Sequence, residues 1–106
     1  GQCCITGLDV PDLLRASHIK PWAMCEQDDE RLDVFNGLLL APHLDALFDA
    51  GWMTVACDGA VGVSPALSTQ ARETLGVNQP LMVHRIRPEH APYLAFHERH
   101  VYRSGR

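Results

Sequence analysis

ASHIKPW, residues 16–22, and NGLLLAPHLDALFDAG, residues 36–51, decide how the fold is read. LLRASHI, residues 13–19, has the apolar character of a strand, and Pro21 ends its regular pairing, which leaves His18 near a strand end. Asn36-Gly37 is a turn signal, and GLLL, residues 37–40, gives a brief second strand. Ala41-Pro42 then opens a helix, since proline suits the first helical position, and Gly51 supplies the stop. On a 3.6-residue wheel Leu44, Leu47 and Phe48 cover one arc of about 100°, while Asp45 and Asp49, one turn apart, share another. His43 falls away from the aspartates and is not counted as their co-ligand. Strand, turn, strand and helix in this order can hold one divalent metal beside one base.

Working outward, 106 residues with 46% hydrophobic and 21% charged side chains make one compact domain with one small core. Gly1 is not an initiating Met, and Gln2-Cys3-Cys4 reads like the interior of a longer protein, so a domain cut from a larger chain is expected. No signal peptide or membrane-length apolar run is visible, and a cytoplasmic protein is expected. Cys3, Cys4, Cys25 and Cys57 form neither a C-x-x-C pair nor a disulfide framework and read as free thiols. The formal net charge of −4 argues mildly against a polyanion partner. Its distribution softens that: residues 81–106 carry five arginines against two glutamates, a net of +3, while residues 1–80 carry a net of −7.

Elsewhere CCIT, residues 3–6, reads as a short β-prone run closed by Gly7, and the polar, acidic stretch 22–35 as a solvent-facing loop. MTVAC and AVGVS flank Asp58-Gly59, a hairpin signature. Ser68 caps a short helix that runs through Leu75 to Gly76, and HAPYLAFHERHVYR, residues 90–103, closes the chain as a helix with Pro92 in its first turn. The order specifies one α+β domain spanning residues 1–106.

Hydrolysis of a phosphodiester needs an activated water, a stabilised phosphorane charge and a neutralised leaving oxygen. A neutral imidazole suits the first task, and Asp45 and Asp49 would give a hard cation such as Mg²⁺ or Mn²⁺ the oxygen ligands it prefers. Taken singly, a pair of aspartates is usually a solvated helical face and a lone histidine a satisfied side chain. The combination is more specific. Asp49, near a helix C-terminus, also opposes the macrodipole and needs something to offset it.

SHIKPW, NGLLL and LDALFD together resemble the HNH endonuclease family, in particular a bacterial branch with the pattern CxxTG, HIxPW, NGLxL and HxxFD. The likeness runs from Cys3 to about Gly51 and extends weakly to the hairpin and the YLxxH segment. It implies a ββα-metal, or His-Me finger, core with an added hairpin and C-terminal helix. It implies His18 as the general base, and Asn36 as the middle Asn that braces the loop and the histidine. Asp45 stands in the place of the final histidine of the family name, nine residues past Asn36, and Asp49, thirteen past it, matches a second helical ligand. Many relatives carry a metal-binding Asp or His before the base, where this chain has Ser17, a weak ligand; tight metal binding is therefore expected to need DNA.

Lys20, Arg15 and Arg31 are candidates for phosphate contacts. Trp22 reads first as an anchor of the small core, with stacking on a base or sugar as the alternative. Tyr93, His97 and His100 share a stripe in the closing helix, with His90 before them; packing or exposure is the simpler account, and structural zinc is not expected there. Nothing resembles a recognition helix. The expected setting is therefore the DNA-cleaving domain of a bacterial restriction-type enzyme with a separate DNA-recognition domain, and a homodimer if both strands are cut. A catalytically silent nucleic-acid or protein interaction module of the same fold is the alternative, slightly favoured by Ser17 and the acidic body. A hydrolase using Cys25 or Cys57 lacks any nucleophile motif.

Overall fold

The computed structural model describes residues 1–105. Strand β1 (Arg15–His18) is followed by the short helix α1 (Asp28–Leu32), strand β2 (Gly37–Leu40) and helix α2 (Pro42–Asp49). The two strands pair antiparallel, Arg15 opposite Leu40 and His18 opposite Gly37. Alternation then sorts the side chains: Ser17 shares a face with Leu38 and Leu40, and all three are buried. His18 belongs to the other face. Pro42 starts α2 as the sequence indicates, and Leu44, Leu47 and Phe48 are the residues it buries, in one apolar cluster with Leu38 and Leu40. The helix therefore covers the Ser17 side of the hairpin.

Three local expectations need correction. The first strand is shorter than residues 13–19, because Pro11 opens a 3-10 turn (Pro11–Leu13) that takes up Leu13. CCIT forms a turn rather than a strand: the Gly7 N–H donates to the Cys3 carbonyl with Gly7 at φ 78, while the Cys4 N–H donates to Leu39 O and Cys4 O accepts from His84 N–H. Cys4 thus straps β2 to a segment eighty residues away in sequence. The stretch 22–35 contains two 3-10 turns (Trp22–Met24 and Val34–Asn36) and α1. Asp28, Asp29 and Glu30 in the first turn of α1 and Arg31 in its last complement the helix dipole, which explains how so polar a segment orders.

The second half follows its punctuation. Strands β3 (Met53–Val55) and β4 (Val61–Val63) form an antiparallel hairpin over Asp58-Gly59, where Gly59 has φ +94 and a Cβ would lie 2.7 Å from Val83 O. Helix α3 (Thr69–Leu75) has Ser68 as N-cap, its hydroxyl accepting from Ala71 N–H, and left-handed Gly76 as stop. Helix α4 (Ala91–His100) buries Leu94 and His97. His97 lies between the two halves, stacked on Phe48 at 3.9 Å between centroids. Its Nε2 donates to Phe48 O at 2.8 Å, because a carbonyl only accepts; its Nδ1 is then the acceptor for the Thr54 hydroxyl, also at 2.8 Å. Burial holds His97 below the usual histidine range, against smaller opposing effects of the Phe48 carbonyl and the Asp49 charge. A neutral ring with its hydrogen on Nε2 satisfies both hydrogen bonds. The fold is α+β, with two small two-stranded sheets among the described residues.

Candidate active site

His18, half-buried at the end of β1, places Nε2 3.0 Å from the carbonyl oxygen of Arg31. That oxygen has no proton to give, so Nε2 carries the hydrogen, and in the neutral ring the lone pair is then on Nδ1. One backbone carbonyl therefore fixes both the ring orientation and the tautomer. The cleft that Ser17 and His18 line is also bounded by Arg31, Asp33, Val34 and Leu39.

The carbonyl is held in place by Asn36, which is fully buried and spends its amide inside the loop. Asn36 Oδ1 accepts from Lys20 N–H at 2.7 Å, and Nδ2 donates to the carbonyls of Glu30 at 3.1 Å and Lys20 at 3.3 Å. Its own backbone carbonyl accepts from Ile19 N–H. Asn36 thus ties the residue after β1 to α1 and fixes the path that delivers Arg31 to His18. It touches no solvent, and its hydrogen bonds are all internal to the loop.

Two residues expected on phosphate are otherwise engaged. Lys20 Nζ lies 2.7 Å from Glu30 Oε2, with its side chain 15% exposed, and 4.8 Å from the Phe96 ring centroid. The pairing raises the lysine and lowers the glutamate from their ordinary pKa values, chiefly through that direct contact. Arg31 donates from Nη2 to Cys25 O at 2.7 Å and from Nε to Trp22 O at 3.3 Å, and meets Asp28 at 3.2 Å. Both cations hold the loop together. Arg15 is exposed, with Nη1 donating to the carbonyls of Asp12 and Leu14.

Sequence reasoning missed a further tether. Tyr93 on α4 donates to Asp33 Oδ2 at 2.6 Å, and Asp33 Oδ1 accepts from Phe35 N–H. The tyrosine hydroxyl holds the Asp33 carboxyl below its ordinary range, and the carboxylate pushes Tyr93 up to about 12. The Tyr93 stripe carried a signal, but its partner sixty residues away did not. Trp22 also departs from expectation. It is 57% exposed rather than a core anchor, and its ring lies at 84° to that of His18 with 5.8 Å between centroids.

The expected metal ligands are placed as follows. Ser17 Oγ is buried and has no hydrogen-bond partner, an orphaned oxygen on the side of the hairpin that α2 covers. On α2, Asp45 is half-buried and Asp49 exposed, and neither carboxylate forms a hydrogen bond or ion pair among the described residues. Neither lines the cleft shared by Ser17 and His18. Among the described residues no three His, Cys, Asp or Glu side chains converge as a metal site. Carboxylate and hydroxyl oxygens are the donors a hard divalent cation prefers, but α2 lies on the Ser17 side of the hairpin, and the cleft at His18 contains neither carboxylate.

A tethered imidazole at an open cleft on an α+β frame is what the described residues place at the end of β1. A family model described as HNH endonuclease matches residues 3–56, half of the chain, and the chain belongs to that family. The match ends just past β3, so His18, Asn36 and α2 all lie inside it. A comparison with curated proteins finds no match. No helix among the described residues is long and apolar enough to cross a membrane.

Proposed function

We propose that this chain is a metal-dependent DNA endonuclease domain with a ββα-metal core, the cutting part of a restriction-type enzyme whose sequence recognition resides in a separate domain. The observation that carries this reading is the His18 tautomer: Nε2 spent on Arg31 O leaves Nδ1 as a base. His18 Nδ1 takes a proton from water as the water oxygen bonds to phosphorus. The P–O3′ bond breaks on the opposite side, and the 3′ oxygen is protonated from solvent. The products are a 5′-phosphate and a 3′-hydroxyl, as in-line hydrolysis of that bond requires. Asn36 and Arg31 act through His18 by holding its ring. Ser17, Asp45 and Asp49 would hold Mg²⁺ or Mn²⁺, which when bound supplies positive charge to the phosphoryl and leaving oxygens. Arg15 remains the candidate for a phosphate contact. Double-strand cleavage would require a second copy of the domain.

The test is conversion of supercoiled plasmid to the nicked form with Mg²⁺ or Mn²⁺, with loss of product on adding a chelator. A second reading, a silent nucleic-acid or protein binding module, is favoured by Ser17 standing where relatives carry a stronger ligand. DNA binding without any metal-dependent nicking, for short and plasmid substrates alike, would support it over the enzyme.

A further inference from the structure

Trp22 is the largest exposed apolar side chain beside His18, and the fold spends several contacts on presenting it there. Arg31 is the device: its carbonyl fixes His18, its Nε donates to Trp22 O, and its guanidinium carbon lies over the indole at 5.0 Å from the ring centroid. One residue thus holds base and indole as a unit. Val34, 77% exposed, lines the same cleft as His18. An exposed tryptophan backed by a guanidinium leaves its solvent side unpartnered. Burying it would gain substantially, since aromatic side chains carry large apolar area.

We infer that Trp22 is a substrate-contacting residue, stacking on an unpaired nucleobase next to the phosphate that His18 attacks. This rests on His18 as the general base, because an indole whose centroid lies 5.8 Å from that imidazole is within about one nucleotide of the reacting phosphorus. A π-face is available only on a base that is not sandwiched in a duplex. The domain therefore favours single-stranded, frayed or mismatched DNA over perfect duplex. Stacking is sequence-tolerant, which agrees with a cutting domain that leaves recognition elsewhere.

Binding is measured without turnover, in EDTA, by anisotropy of a labelled short single-stranded oligonucleotide. Trp22→Ala is expected to weaken it about 5- to 100-fold, and Trp22→Phe to restore most of it. The chain has two tryptophans, so a Trp52→Phe background makes Trp22 the sole indole, whose fluorescence should be quenched by the oligonucleotide and not by inorganic polyphosphate. Equal affinity of Trp22→Ala and wild type, or binding without quenching, would overturn the proposal. So would a fall in thermal midpoint in Trp22→Ala that accounts for the lost binding. The two levels separate cleanly: quenching retained while His18→Ala still cleaves removes the base assignment alone, and unquenched binding while His18→Ala is dead removes the stack alone.

Discussion

Asn36 shows how a single side chain organises the site without entering it. Its amide satisfies Lys20 N–H and the carbonyls of Lys20 and Glu30, all within one loop. Asn36→Ala should cost about 3 kcal/mol, because each buried group left unsatisfied costs about 1–3 kcal/mol; urea unfolding measures it, and a loss under about 1 kcal/mol would show that the loop holds itself. Ser17 makes the complementary case. Replacing its orphaned hydroxyl with a carboxylate, Ser17→Asp, should strengthen Mn²⁺ binding in the absence of DNA at least tenfold by calorimetry. No gain would mean that this position does not face the cation. At this scale the sequence was informative where a residue type names its own chemistry. The position of His18 at a strand end was legible, whereas its partner was not, since Arg31 contributes a carbonyl that any residue would supply. The partners of Lys20 and Arg31 were not legible either, because Glu30, Cys25 and Trp22 come within reach only once the loop has folded.

Elements with explicit punctuation were read correctly. Pro42 and Gly51 bound α2, Ser68 and Gly76 bound α3, and Asp58-Gly59 turns the second hairpin, because each constrains φ or satisfies a terminal N–H locally. Segments ordered by distant partners were not. Residues 3–6 become a strap rather than a strand because Leu39 and His84 offer the pairing groups, and α1 forms in a stretch whose composition suggests solvent. The Asp58-Gly59 turn also carries a tertiary constraint. Gly59→Ala would place a Cβ 2.7 Å from Val83 O at φ +94, so it should destabilise the domain by more than about 1 kcal/mol in chemical denaturation. An unchanged midpoint would show that the 82–84 segment yields without cost.

Across the whole molecule, the family match covers the first half, and the second half buttresses it through α4. Tyr93 reaches the Asp33 end of the His18 loop, and His97 packs on Phe48 of α2 and on Thr54 of β3. His97 makes that buttress pH-sensitive. Its folded pKa is depressed, so between that value and about 6.5, the ordinary value, the unfolded chain binds more protons and stability falls as pH drops. Thermal midpoints should therefore decline from pH 7.5 toward pH 5, and the part of the decline due to His97 should vanish in a folded His97→Gln variant. An identical slope in that variant would assign the acid sensitivity to other groups.

The most direct test is nicking of supercoiled plasmid by wild type and His18→Ala side by side in Mn²⁺, with matched unfolding curves for the two proteins. The account predicts metal-dependent nicking by the wild type and a loss of at least about 100-fold in the variant at unchanged stability. Equal rates from the two would contradict it.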